Sequence, residues 1–507
     1  MNTSIDRLCI DTIRLLAVDA VERAASGHPG TPMALAPQAY LLWTRFLRHN
    51  PQDPSWFDRD RFVLSNGHAS MLLYSLLHLS GYGLEKEDLL GFRQWGSRTP
   101  GHPERGITPG VETTTGPLGQ GLMNAVGMAM AEAHLAARYN RPGYRVVDHR
   151  TWVMCGDGDL MEGASHEAAS LAGHLRLGKL TCLYDDNRIT IEGPTPLAFS
   201  EDVAARFRAY GWHVQDLGEA AEDLERLSEA MQEAIRVEDQ PSLIIVRSRI
   251  GFGAPHKQDT PAAHGEPLGR EEAAAAKRFF GFPEAESFHI PEGVVEHMRE
   301  AVRRGGALQR EWEERFQAYG SAYPAEAELL RGALAGELPS GWDKDVPAFA
   351  PGEKIATRAA SGKVLNALAR RVHFLAGGSA DLAPSTKTLL AGEGYFSAAD
   401  RSGRNFAWGV REHAMCGCSS GMALHGGIRP FASTFFVFTD YARPAIRLAA
   451  IMRLPVIYVM THDSLAVGED GPTHQPVEHL ASLRAMPGLR VIRPADANET
   501  AAAWRAA

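Results

Sequence analysis

The clearest chemical signal in the chain is Gly156-Asp157-Gly158, followed thirty positions later by Asp186-Asn187. A hard cation of the Mg²⁺ type takes oxygen ligands in near-octahedral geometry and keeps phosphate oxygens among them. The Asp157 carboxylate, the Asn187 side-chain amide and the main-chain carbonyl of Ile189 offer three such oxygens, and a diphosphate offers others. The glycines on either side of Asp157 allow main-chain N–H groups to approach phosphates near a helix N-terminus. Alone, Gly-Asp-Gly is a common turn. The Asp-Asn pair at this distance, and the elements between, give it meaning.

Those elements read as one βαβ unit. TWVMCG at 151–156 is a short apolar strand, GDGDLMEG a tight glycine-rich turn, ASHEAASLAGHL a helix and KLTCLYDD the next strand. Ligands in such units bind beyond the carboxyl ends of the strands. Strand-like and helical patterns alternate up to about residue 250, which predicts an α/β fold with a mostly parallel sheet covered by helices. From 271 to 340 the sequence turns helical and charged (EEAAAAKRFF, ALQREWEERFQAYG) without a strand-like run. A linker, GWDKDVPAFAPGEK, precedes a second α/β domain starting near Lys354, with strands expected at HFLAGG, RPFASTFFVF and LPVIYVM. No internal repeat is visible. The chain ends at TAAAWRAA within a predicted helix, so the second domain is expected to be incomplete.

With 507 residues, 44% apolar and 22% charged, the chain is expected to form two or three domains with large cores. Its net charge of −9 argues against a nucleic-acid surface, yet leaves room for anionic small substrates held by local cations. No apolar run approaches the roughly 20 residues that span a bilayer, and MNTSIDRLCI lacks signal-peptide character, so a cytoplasmic setting without membrane contact is expected. Cys9, Cys155, Cys182, Cys416 and Cys418 are few, odd in number and mostly within apolar runs, which predicts buried reduced thiols.

The Gly-Asp-Gly to Asp-Asn spacing is similar to the thiamine diphosphate signature, and the surrounding motifs resemble transketolase across essentially the whole chain. SGHPG at 26–30, SNGHAS at 65–70, GHPE at 101–104 and TTTGPLGQG at 113–121 are similar to the family's amino-terminal motifs. REHAM at 411–415 and THDSLAVGEDGPTHQP at 461–476 are similar to those of its pyrimidine domain. Deoxyxylulose-phosphate synthase and the E1 component of pyruvate dehydrogenase share Gly-Asp-Gly and the catalytic Glu, but not this histidine set. The resemblance implies two thiamine-diphosphate-binding-type domains. Residues 1–320 would be the diphosphate-binding domain, 321–353 a linker, and 354–507 a pyrimidine-binding domain incomplete at its C-terminal end. It implies thiamine diphosphate and Mg²⁺ as cofactors, with Ca²⁺ or Mn²⁺ as substitutes. The implied reaction transfers a two-carbon ketol unit from xylulose 5-phosphate to ribose 5-phosphate or erythrose 4-phosphate in the pentose phosphate pathway. A homodimer with the active site at the subunit interface is implied too.

Residue roles carry over motif by motif. Asp157, Asn187 and Ile189 would hold the metal. His68, Gly116, Leu118, Gly158, Asn187 and His264 would contact the cofactor from the first domain, and Glu412, Phe435, Phe438 and Tyr441 from the second. Glu412 would hydrogen-bond the aminopyrimidine N1′ and favour its imino tautomer, while the three aromatic residues would hold the ring. His28 and His264 would serve the acceptor carbonyl and donor C3 hydroxyl, and His102 and His474 the two-carbon fragment. Such a site calls for groups that titrate near neutrality and switch roles. Arg358, Ser385 and His462 would bind the sugar phosphate, and Asp470 would read hydroxyl stereochemistry. Two departures stand out. The family continues past the point matching Ala507 into a last strand, a further phosphate-binding Arg and a third domain, and HGEPLG at 264–269 carries Glu where an apolar residue is commoner. The first raises a non-catalytic or partner-requiring thiamine diphosphate-binding fragment as an alternative. A formaldehyde-accepting dihydroxyacetone synthase is another, though the retained phosphate ligands argue against it.

Overall fold

Apolar runs of four to seven residues alternating with longer amphipathic stretches yield two parallel sheets in the computed structural model, which describes residues 4–507. The strands are β1 (Arg61–Leu64), β2 (Thr151–Gly156), β3 (Leu180–Asp186), β4 (His213–Asp216) and β5 (Ser242–Arg247) in the first sheet. The second holds β6 (Leu375–Ser379), β7 (Tyr395–Phe396), β8 (Asn405–Phe406), β9 (Arg429–Phe435) and β10 (Ile457–Thr461). Their orders are β1-β2-β3-β5-β4 and β10-β9-β6-β8-β7, with every pairing parallel. Parallel strands are buried on both faces, which is why TWVMCG and KLTCLYDD read as continuous rather than alternating apolar runs.

The chain forms two compact units. One consists of residues up to Ala125 with His149–Glu314, the other of Val126–Asp148 with Arg315–Ala507. The first unit's main core gathers Leu16, Tyr40, Trp43, Leu72, Trp152 and Ile244 around its sheet. A smaller cluster of Val18, Met33, Ile250 and Ala263 sits under the loops after β5. The second unit's core joins Val364, Leu365, Phe374, Phe431 and Trp504. Each fully buried side chain of this size contributes roughly 1.5–3 kcal/mol. Trp504, on the final helix Ala497–Ala506, donates its indole N–H to Ser361 Oγ at 2.8 Å, so the end of the chain is packed into this core.

Register places the functional turn. Gly156 pairs with Asp185, and Asp186 with Arg247, so the carboxyl ends of β2, β3 and β5 lie side by side. The segment GDGDLMEG, expected as a turn, instead opens two helices, Asp157–Met161 and Gly163–His174. Extended backbone at Gly156 lets the first helix start at Asp157, which presents its N-terminus at the strand end. The expected strands at HFLAGG, RPFASTFFVF and LPVIYVM are β6, β9 and β10, although Phe436–Phe438 already turns into a 3₁₀ helix. The charged segment after residue 270 forms helices Arg270–Phe280, Val294–Ala322 and Pro324–Ala335. All five cysteines are buried, Cys155 and Cys182 lying 3.3 Å apart on neighbouring strands. No helix among the described residues is long and apolar enough to cross a membrane.

Candidate active site

In the first unit, four histidines from four separate loops meet. His28 precedes helix Gly30–Leu41, and His68 sits on the turn Gly67–Ala69 after β1. His102 lies in an irregular loop, and His264 follows the turn Pro261–Ala263. The ring of His28 lies 5.1 Å from that of His68, 5.7 Å from His264 and 6.3 Å from His102, and His68 lies 5.1 Å from His264. Arg93 joins them, with a guanidinium nitrogen 3.3 Å from His28 Nδ1 and another donating to Ser26 Oγ at 2.8 Å. Burial, then the nearby His264, Arg93 and His102, push the His28 pKa down to about 4. Burial also lowers His68, His102 and His264. Burial and the closeness of the other rings thus disfavour a proton on each of these imidazoles, because it would be desolvated and, at His28 and His68, would repel its neighbours.

The metal and diphosphate residues lie at the strand ends of the same unit. Asp157 is 4% exposed and accepts from the Tyr184 hydroxyl and from Arg188 N at 3.0 Å. Burial, reinforced by Asp186, pushes its pKa up to about 6 against the lowering effect of the Tyr184 and Arg188 hydrogen bonds and of Arg247. Asn187 is oriented at both ends of its amide, Oδ1 accepting from Ile189 N at 2.9 Å and Nδ2 donating to Asp185 at 2.8 Å. Asp185, itself buried and raised to about 7 by that burial, also accepts from Ser248 Oγ. Gly116 has φ +144, and a Cβ there would lie 3.3 Å from the His102 ring; one on Gly158 would lie 2.7 Å from Leu118 Cδ1. Side chains at either glycine would fill the cradle. His264 Nδ1, Thr115 Oγ1 and both amide atoms of Asn66 are buried without a hydrogen-bond partner. Buried polar atoms are rarely left so, and this set fits a polar, phosphate-bearing ligand with a cation at Asp157 and Asn187.

The second unit carries a different kind of surface. Glu412 opens helix Glu412–His425, is 7% exposed and accepts from Thr434 Oγ1 at 3.4 Å; burial raises its pKa above the ordinary carboxylate value. Phe435 and Phe438 stack with centroids 5.9 Å apart, Phe438 lies 6.0 Å from Tyr441 and 5.4 Å from His474, and Phe435 packs 3.7 Å from His462. His462 Nε2 is 2.9 Å from an Arg358 guanidinium nitrogen, and burial together with Arg358 lowers its pKa. Asp470 ends the turn Leu465–Asp470 and acts on His462 only electrostatically, while Ser385 lies on the short helix Ala383–Thr386. Neither hydrogen-bonds to the Arg358–His462 pair among the described residues. The structure thus groups His28, His68, His102 and His264 in one unit, and His474 with the aromatic residues in the other. Arg93, Asp159, Tyr184 and Asp185 escaped sequence reasoning. The one signal available was a pair of acids, Asp185 and Asp186, closing an apolar strand.

Comparison with known proteins agrees with this geometry. Residues 5–339 match the family model for the transketolase thiamine diphosphate binding domain, and 353–507 that for the transketolase pyrimidine binding domain. The chain is 58% identical to a transketolase of Geobacillus stearothermophilus over 508 aligned residues, covering 100% of this chain and 76% of that protein. It is 57% identical to a transketolase of Bacillus subtilis (strain 168), covering 99% and 76%. Transketolase from Leishmania mexicana superposes with a TM-score of 0.97 at 51% identity, over 99% of this chain and 75% of that one. A Pichia stipitis transketolase in complex with sedoheptulose 7-phosphate superposes at 0.98 and 48% identity, with the same coverage. The chain spans about three quarters of the length of these relatives. It belongs to the transketolase family and is a thiamine diphosphate-dependent transferase.

Proposed function

We propose that this enzyme moves a two-carbon ketol unit from xylulose 5-phosphate to ribose 5-phosphate or erythrose 4-phosphate, in the cytoplasm and within the pentose phosphate pathway. The observation that carries the reading is the gathering of the His28, His68, His102 and His264 imidazoles in the same unit whose β2 and β3 carboxyl ends lead into Asp157 and Asn187. Polyhydroxylated substrates need several uncharged donors and acceptors at fixed positions, and phosphate specificity needs a cation such as Arg358. A Pichia stipitis relative has been seen with xylulose 5-phosphate and another with sedoheptulose 7-phosphate, which supports this substrate class.

Asp157, Asn187 and the Ile189 carbonyl would hold Mg²⁺, with Ca²⁺ or Mn²⁺ as substitutes, beside the cofactor's diphosphate. Gly116, Leu118, Gly158, His68 and His264 line the cofactor from the first unit, and Phe435, Phe438 and Tyr441 receive its aminopyrimidine. Bound there, thiamine diphosphate supplies a thiazolium that stabilises negative charge on carbon. Glu412 holds a proton at the aminopyrimidine N1′, and burial of its carboxyl favours that role. His28 and His264 exchange protons with the donor C3 hydroxyl and the acceptor carbonyl, while His102 and His474 orient the two-carbon fragment. Arg358, Ser385 and His462 take the phosphate, and Asp470 a substrate hydroxyl. Functionally the chain divides into a diphosphate-binding domain (1–320), a linker (321–353) and a pyrimidine-binding domain (354–507).

Large apolar side chains stand exposed beside functional residues on both units: Ile191 and Leu197 after Asn187, Val410 before Glu412, and Tyr441. Such patches mark interfaces, and a twofold homodimer covers both at once. The reading as a non-catalytic fragment is disfavoured by similarity to transketolases along the whole chain. The test is a coupled assay of the 507-residue protein with xylulose 5-phosphate and ribose 5-phosphate, following glyceraldehyde 3-phosphate. Release that depends on thiamine diphosphate and Mg²⁺ is expected; a protein that binds cofactor yet releases nothing above the no-cofactor control overturns the proposal.

A further inference from the structure

Asp159 is fully buried, and the functions assigned above make no use of it. A carboxylate with no exposure persists only where donors replace its water. Here two donors come from distant loops and a third from the end of β2, in the turn that carries Asp159 itself. Oδ1 accepts from Ser65 Oγ at 2.6 Å and from Gly119 N at 2.8 Å, and Oδ2 accepts from Gly156 N at 3.1 Å. Ser65 in turn accepts from Leu122 N at 3.1 Å, in the first turn of helix Gln120–Tyr139. Ser65 leads into the His68 turn, Gly119 follows Gly116 and Leu118, and Gly156 precedes Asp157. Sequence separations of 40 and 94 residues close onto one side chain.

We propose that Asp159 is the positioning residue of the cofactor cradle: its carboxylate ties the His68, Gly116–Leu118 and Asp157 loops into one fixed arrangement before any ligand arrives. The inference rests on the reading of these loops as the thiamine diphosphate site. Asp159 touches neither the ligand nor the metal ligands' oxygens; it sets where the N–H groups and Asp157 point. Backbone donors cannot rotate to suit a new partner, whereas the Ser65 hydroxyl can. In Asp159→Asn the amide nitrogen must therefore face either Gly119 N–H, which releases that loop, or Gly156 N–H, which loosens the turn that carries Asp157 itself.

The test measures thiamine diphosphate affinity by calorimetry at saturating Mg²⁺ for the wild-type chain, Asp159→Asn and the milder Ser65→Ala. The melting temperature of each is recorded without cofactor, and KM for cofactor and kcat are obtained alongside. The expected result is a dissociation constant raised about tenfold or more in Asp159→Asn and less in Ser65→Ala. KM for cofactor should follow, with kcat restored at saturation. Affinity within twofold of wild type in both variants, whatever their melting temperatures, overturns the proposal and leaves Asp159 a structural residue. Where Asp159→Asn does not fold, Ser65→Ala decides by the same criterion. Absence of binding by the wild-type chain would instead overturn the cofactor-site reading itself.

Discussion

The two units carry their functional residues in opposite ways. In the first they are built inward: Asp157, Asp159, Asp185 and Asn187 are all buried and held by hydrogen bonds within the unit. In the second, Glu412 alone is enclosed, while Tyr441 is 64% exposed and the loop carrying Asp470 and His474 stands at the surface. A site for a charged diphosphate must be fixed in advance, since free N–H groups and carboxylates are costly to organise at the moment of binding. Stacking against an aromatic ring needs only a flat apolar surface, which can stay open until it is covered.

The sharpest way to break this comparison is at Glu412, the buried acid of the second unit's candidate site. Glu412→Ala should lower kcat by about a thousandfold while Mg²⁺-dependent cofactor binding persists, as read by the coupled assay and calorimetry. Full activity in that variant would remove Glu412 from the proposed chemistry. Next in size, Asp157→Asn should weaken cofactor binding by about a hundredfold or more. The same variant should melt higher than wild type without cofactor at pH 7, because a neutral amide replaces a carboxylate whose burial is unfavourable. A lower melting temperature would show that the hydrogen bonds from Tyr184 and Arg188 outweigh the desolvation.

Smaller effects separate substrate from cofactor. Arg358→Ala should raise KM for sugar phosphates about tenfold with kcat nearly unchanged, and leave KM for free glycolaldehyde acceptor as it was. Equal losses on both acceptors would assign Arg358 to the fold rather than the phosphate. Last comes the pH response of the empty first unit. The native pKa of His28 is held at about 4, below its ordinary 6.5, so the unfolded chain binds more protons than the native one between those values. Stability should then fall as pH drops from 6.5 to 4. His28→Asn should make that fall shallower by about 1–2 kcal/mol, after allowing for partial exposure. Thermal melts across the window check it; identical slopes would mean the remaining histidines dominate.

Local geometry was readable in the chain because it depends on near neighbours. The β2 and β3 strands, the separation of Asp157 from Asn187 and the helical stretch after 270 follow from apolar runs, glycines and period, and the motif words led to the family. Even so, GDGDLMEG was expected as a turn and opens a helix, since a helix N-terminus and a tight turn call for the same glycines and acids. RPFASTFFVF was read as one strand, yet it leaves the sheet after Phe435, where an apolar run alone marks no stop.

By itself, then, the sequence determined the fold class, the parallel order of chemistry-bearing loops and the identity of the residues that could ligate a cation or hold a cofactor. Tertiary structure alone decided their state. Four histidines separated by up to 236 positions become one cluster in which protonation is disfavoured, and Asp159 joins two distant loops to its own turn, only when the chain brings them within hydrogen-bond and ring-contact range and removes water. Desolvation and long-range hydrogen bonding depend on which distant segments become neighbours, and no local pattern of residues encodes that.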